Sequence, residues 1–293
     1  MKCIKRPKLV VCPDKSTMYP PTTWNPLYVI NKYLLKHKKD VIGINYDGYI
    51  VHQRSKDITQ LLLLREYYTN CDTKSHLNKI INEVLCDNPL CEARVSIACH
   101  TAIPISLFLI PENYPLENDD KQAYIVENIV DCRNYSVTES NMVDFVAFID
   151  KFRGGKYKKK AKGLNAANTK FECFLANNNG YTPLPGDIDG LIIRKNKALA
   201  ILEFKTHNKS TPIEEEYLGK YGYADWRRIQ VLHDLKRKLD IPIIVIFWGP
   251  NHQKLKIDKI VETEKIEESQ VVGRENFVEI LLSMISVKIT PIQ

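Results

Sequence analysis

The chain has 293 residues, 44% of them apolar and 26% charged, a globular make-up that excludes low-complexity disorder, collagen and long coiled coils and fits one large domain or two modest ones. No apolar run approaches the ~18 residues of a membrane-spanning helix. The start, Met-Lys-Cys-Ile-Lys-Arg-Pro-Lys, lacks the apolar stretch of a signal peptide, so a soluble cytoplasmic protein with no membrane partner is expected. The net charge of +7 is lopsided: residues 1–150 carry 17 Lys/Arg against 18 Asp/Glu, residues 151–293 carry 25 against 17. All the excess positive charge lies in the second half, which points to a polyanion, nucleic acid before an acidic membrane surface.

No internal repeat and no Gly/Ser linker is visible. Asn25 to Lys36 reads as an amphipathic helix with Leu27, Ile30, Leu34 and Leu35 on one side. Val41 to Gln53 carries Asp47-Gly48 between two β-prone runs, a hairpin signal. Helices are expected at Ile58–Tyr68 and His76–Leu85, strands at Ala93–Ala98 and Ile105–Ile110, and a loop over Glu112–Gln122. The eight cysteines include no Cys-x-x-Cys pair, and Cys86, Cys91, Cys99 and His100 fit no usual zinc spacing, so buried free thiols are expected. Ser136-Val-Thr-Glu139 has the capping-box pattern ahead of a helix from Met142 that ends near Gly154-Gly155.

The densest charge run follows, with Lys156, Lys158, Lys159, Lys160 and Lys162 inside seven residues. In isolation such a run is a solvated loop; placed directly before the segment described next, it is a candidate for phosphate contacts. A helix is expected over 165–176, then strands at Asp189–Arg194 and Ala198–Lys205. The polar connection Lys195-Asn196-Lys197 makes this pair antiparallel. A helix over Ala224–Leu239, a strand over Ile241–Trp248 and a last helix near Arg274–Ile285 complete the order. This predicts an α/β (α+β) fold with one mixed sheet flanked by helices.

Side chains alternate along a strand, so Glu203 and Lys205 share a face while Leu202 and Phe204 take the other. Leu199 and Ile201 extend the charged face inward. Folding the hairpin about residue 196 sets Asp189 opposite Glu203, each seven positions away. Both faces are otherwise largely apolar, and an ion placed there costs on the order of several kcal/mol unless partners or a metal compensate. Two converging carboxylates are a hard-oxygen site suited to Mg²⁺. A lysine beside them orients the attacking water and neutralises the charge that builds on phosphorus, as phosphodiester hydrolysis requires. Glu203-Phe-Lys205 is the only Glu-x-Lys in the chain. The competing reading is a cross-strand salt bridge at a hairpin end.

Gly186-Asp-Ile-Asp-Gly-Leu-Ile-Ile-Arg194 followed by Ala200-Ile-Leu-Glu-Phe-Lys205 resembles the core of the PD-(D/E)XK nuclease superfamily, which includes the type II restriction endonucleases. The likeness covers about residues 164–250 and continues through Tyr223–Gln230 and strand 241–248, similar to that family's αβββαβ core. It implies a Mg²⁺-dependent DNA endonuclease that leaves 5′-phosphate and 3′-hydroxyl ends, acting on double-stranded DNA as a homodimer. Carried over, Asp189 and Glu203 would bind metal with the Phe204 carbonyl, and Lys205 would position the water. Asp187, one strand period earlier, is the alternative metal ligand, with Asp189 favoured for its register with Glu203. Glu172 would add an acid from the preceding helix. Arg227 and Arg228 are candidate DNA contacts, although neighbours on a helix diverge by about 100° and cannot serve one partner. Lys209 and Lys220 are further candidates for DNA contact, and His207 reads as a supporting or surface histidine. The expected division is a recognition or dimerisation region at 1–150 and a nuclease domain at 151–293. The rival readings are a structure-specific, transposon or defence nuclease, a non-catalytic nucleic-acid-binding protein, and a membrane-surface protein with a polybasic patch.

Overall fold

The computed structural model describes residues 4–5, 10–11, 26–37, 40–67, 73–85, 89–111, 123–129, 134–155, 166–167, 186–207, 211–221, 223–249, 253–262 and 265–285. In chain order the strands are β1 (Ile4–Lys5), β2 (Val10–Val11), β3 (Val41–Val51), β4 (Ile58–Tyr67), β5 (Ile105–Pro111), β6 (Ala123–Glu127) and β7 (Ser136–Ser140), then β8 (Ala166–Ala167), β9 (Gly186–Arg194), β10 (Lys197–Thr206), β11 (Ile243–Trp248), β12 (Lys254–Glu262) and β13 (Lys265–Gly273). The helices are α1 (Pro26–His37), α2 (Thr73–Leu85), α3 (Pro89–Thr101), α4 (Met142–Arg153), α5 (Tyr223–Leu239) and α6 (Phe277–Met284). The architecture is mixed α/β. None of the described helices is long and apolar enough to cross a membrane.

The chain packs as two units, one of residues 1–21 and 46–187, the other of residues 22–45 and 188–293. In the first unit the strand order is β3-β4-β5-β6-β7. β4 is antiparallel to β3 and parallel to β5, with α2 and α3 in the β4–β5 crossover; β6 and β7 add antiparallel strands. Phe108 stacks on Phe145 of α4 with ring centroids 4.3 Å apart, inside a core with Ile50, Leu62, Leu64 and Ile149. α4 opens on a capping box between Asn141 and Asp144 and closes on Gly154 at φ 83°, a left-handed conformation suited to glycine. Asn141→Ala is expected to cost about 1 kcal/mol, read as a lower midpoint in urea unfolding.

Several sequence expectations are corrected here. Asp47-Gly48 is no turn: β3 runs straight through it, and Gly48 pairs with Leu62. Ile58–Tyr67 is a strand, because nearly all of Leu61–Leu64 is buried on both faces and period-two alternation disappears. Ala93–Ala98 lies inside helix α3. Ser136–Ser140 is a strand, so the helix cap belongs to Asn141 instead. Ala166–Ala167 pairs with Val10–Val11 as a strand where a helix is expected to begin; the rest of that helix, and the loop at 112–122, lie outside the described residues. Cys99 is exposed, not buried, and so is His100 beside it. Cys86 and the side chain of Cys91 lie outside the described residues.

The second unit has the strand order β13-β12-β11-β10-β9. β9 and β10 are joined by a two-residue turn with φ 46° at Lys195 and 63° at Asn196, the left-handed pair of a type I′ hairpin whose twist suits the strands. β11 is parallel to β10, as the crossover through α5 demands, and β12 and β13 follow antiparallel. The sequence reading missed β12 and β13. One face of this sheet packs Leu202, Ile244, Ile246 and Ile257 under Ile30 and Leu34 of α1 and Phe277, Leu281 and Leu282 of α6. The opposite face carries Glu203 and Lys205 and meets α5, where Ile229, Leu232 and Leu235 are fully buried.

Candidate functional site

A two-residue turn at Lys195-Asn196 would by itself set Asp189 opposite Leu202. A β-bulge at Leu199 shifts the register by one, so that Ala198 faces Ile193 but Ala200 faces Ile192 and Leu202 faces Gly190. The next position in that register brings Asp189 beside Glu203, the pairing expected from the sequence. The bulge also corrects one expectation: Leu199 packs with the α1/α6 core and does not extend the charged face.

At this end of the hairpin four charged side chains meet. Glu203 is fully buried and Lys205 is 7% exposed. Lys205 Nζ lies 2.9 Å from Glu203 Oε1. From α5, Arg228 Nε donates to Glu203 Oε2 at 3.0 Å and Nη2 donates to Asp189 Oδ1 at 3.1 Å. Asp189 Oδ2 accepts the Phe204 backbone N–H at 2.7 Å. In an extended strand a residue's N–H and C=O leave on the same side, so the Phe204 carbonyl faces the β9 edge where Asp189 stands. Two carboxylates balanced by a guanidinium and an ammonium make the cluster formally neutral, which is what makes its burial tolerable.

Asp187 lies on β9 one strand period before Asp189 and is partly buried. Arg228 turns onto the carboxylates. Arg227 is in α5, but its side chain, like Glu172, Lys156, Lys158, Lys159, Lys160, Lys162 and Lys209, lies outside the described residues. Among the described residues no three His, Cys, Asp or Glu side chains are gathered as a metal cluster. The donors present are two carboxylates, with a carbonyl at the same edge. That hard-oxygen set fits Mg²⁺, which takes one or two protein carboxylates and fills its octahedron with water or phosphate oxygens.

Around this centre, His207 at the end of β10 is 2% exposed, so it is no surface histidine. Its Nδ1 is 3.0 Å from Glu216 Oε1 and its Nε2 is 2.8 Å from the Thr211 carbonyl. It thereby ties the end of β10 to Thr211 and Glu216. Lys220, 3.5 Å from Glu216, belongs to the same tether.

Asp258 occupies the same transverse row as Glu203, through Val245. Burial pushes its carboxyl above the ordinary value, against the opposing pull of Ser269 Oγ, which donates at 2.6 Å, and of Lys256. Because the folded-state value is raised, its contribution to stability is present at acid pH and is lost as pH rises through that value. Asp258→Asn keeps a partner for Ser269 and is therefore expected to raise the melting temperature at pH 7. The gain should close as pH falls into the carboxylate range; a gain equal at all pH values would contradict this origin.

No protein-family model and no curated protein matches the chain. A solved structure described as a sex pheromone staph-cAM373 precursor aligns at 10% identity over 86% of this chain and 83% of its own, with a TM-score of 0.18. At that level the likeness carries no argument.

Proposed function

We propose that the protein is a Mg²⁺-dependent DNA endonuclease with its catalytic centre at Asp189, Glu203 and Lys205. In this reading the second unit is a restriction-endonuclease-like core of the PD-(D/E)XK type. The observation that carries the proposal is the convergence of two carboxylates, bridged by Arg228, with a lysine paired to the buried one, at the end of a hairpin followed by a parallel crossover. Asp189, Glu203 and the Phe204 carbonyl would hold the Mg²⁺, whose Lewis acidity polarises the scissile phosphate when it is bound. Lys205, held against Glu203, orients the attacking water and places a positive charge where negative charge builds up. Phosphodiester hydrolysis then leaves 5′-phosphate and 3′-hydroxyl ends. The C-terminal excess of Lys and Arg supplies the attraction to double-stranded DNA. Cutting both strands as a sequence-specific restriction enzyme takes two such centres, hence a homodimer.

Arg228 favours a second reading. A guanidinium paired with both carboxylates completes a neutral cluster that needs no metal, as in a nucleic-acid-binding protein without catalysis. Incubation of the purified protein with unmethylated phage genomic DNA, in Mg²⁺ and in EDTA, separates the two. Discrete Mg²⁺-dependent fragments are expected for a restriction enzyme and a smear for a nonspecific nuclease. DNA, RNA and branched substrates all left intact would favour the binding protein.

A further inference from the structure

The two units, each taken by itself, repeat one plan. Each has an antiparallel hairpin, a helical crossover to a parallel strand, two further antiparallel strands and a closing helix: β3-β4-(α2, α3)-β5-β6-β7-α4 in the first, β9-β10-α5-β11-β12-β13-α6 in the second. The correspondence extends to register. Gly48 pairs with Leu62 as Gly190 pairs with Leu202. A bulge at Thr59, between the pairs Ile50–Gln60 and Val51–Ile58, matches the one at Leu199. Leu61 faces Ile105 as Ile201 faces Ile243, and the row Leu107-Val126-Val137 answers Val245-Asp258-Ser269. One side-chain contact is also repeated: Asp47 Oδ2 accepts the Leu64 N–H at 2.9 Å, as Asp189 Oδ2 accepts that of Phe204 at 2.7 Å. In this alignment Asp47 answers Asp189, Leu63 answers Glu203 and Arg65 answers Lys205.

We infer that the first unit is a second copy of the same core whose site has lost its cation-binding glutamate. Leu63, 1% exposed, stands where Glu203 stands. With that carboxylate gone, Arg65 pairs directly with Asp47, and the site keeps one carboxylate ligand where the second unit converges two. Each chain therefore carries one cation-binding centre and one vestigial site. The cation part of this inference rests on the proposed nuclease reading; the equivalence of positions does not.

Two measurements on the full chain test these parts separately. The first is thermal unfolding. Glu203→Leu alone removes the buried carboxylate that meets Lys205 and Arg228 and should lower the melting temperature. The triple variant Glu203→Leu, Lys205→Arg, Arg228→Met leaves Asp189 one guanidinium, as Asp47 has Arg65, and should recover at least half of that loss. A triple variant no more stable than the single one would overturn the equivalence of the two copies. The second is Mn²⁺ titration by calorimetry. The wild type and Asp47→Asn should each bind one ion, and Glu203→Gln none. Loss of the ion in Asp47→Asn, with retention in Glu203→Gln, would move the centre to the first unit and overturn the inference. No Mn²⁺ bound by the wild type would remove the cation reading and the vestigial site together, with the melting data still deciding the equivalence.

Discussion

Glu203→Ala is expected to lower the stability of the second unit by about 3 kcal/mol, in the range for removing one partner of a buried ion pair. The carboxylate it removes is fully buried and meets both Lys205 and Arg228. Arg228 is 24% exposed and keeps Asp189, so it loses little. Lys205 at 9% side-chain exposure has no such exit, and the loss of its buried Glu203 pair accounts for most of the cost. Glu203→Gln retains the volume and a hydrogen-bond acceptor and should cost visibly less. Chemical denaturation of the two variants side by side measures the difference; equal losses would show that packing, not charge, dominates at this position.

Lys205→Met should reduce DNA cleavage about 100- to 1,000-fold, the scale of removing one charge-stabilising donor from a reacting centre. Stability falls less here than in Glu203→Ala, because Arg228 still compensates Glu203. Asp189→Asn should match it in activity, but with loss of cation affinity that Lys205→Met does not share. Cleavage rates and Mn²⁺ affinities of the two variants separate the roles. An active Lys205→Met would remove the lysine from the mechanism.

The hairpin that carries the site was legible because two β-prone apolar runs flank the short polar connection Lys195-Asn196-Lys197. The placement of Asp189 beside Glu203 was legible only through two compensating details: the tight turn at Lys195-Asn196 moves the register one way and the bulge at Leu199 moves it back. The first half was harder to read. Asp47-Gly48 has turn chemistry, yet the aspartate is used as a side-chain acceptor for Leu64 within a continuous strand. The four leucines of β4 look helical because burial on both sides erases the alternation that marks a strand. In α3 the apolar residues gather on no single side, so neither period stands out. β12 offered a signal that went unread, with Leu255 and Ile257 alternating with charged residues.

The internal repeat was invisible for a related reason. Asp47-Gly48 and Asp189-Gly190 are shared, but Glu203 and Lys205 of one copy answer to Leu63 and Arg65 in the other, and the crossover is two α-helices in one and two short 3-10 turns with a single long α-helix in the other. Matching strand register and bulge position survive such changes because they are set by the pleat and by which face is buried. Arg228 shows what a single sequence leaves open. Both arginines of the pair were candidates, and only the helix phase brings Arg228 to Asp189 and Glu203.

The most direct test is Mg²⁺-dependent cleavage of plasmid and phage genomic DNA by wild type and Lys205→Met, prepared identically and shown to unfold cooperatively. Cleavage by the wild type that requires Mg²⁺, stops in EDTA and is abolished in Lys205→Met is the expected result. Intact DNA with the folded wild type, or equal cleavage by both proteins, would contradict a catalytic centre at Asp189, Glu203 and Lys205.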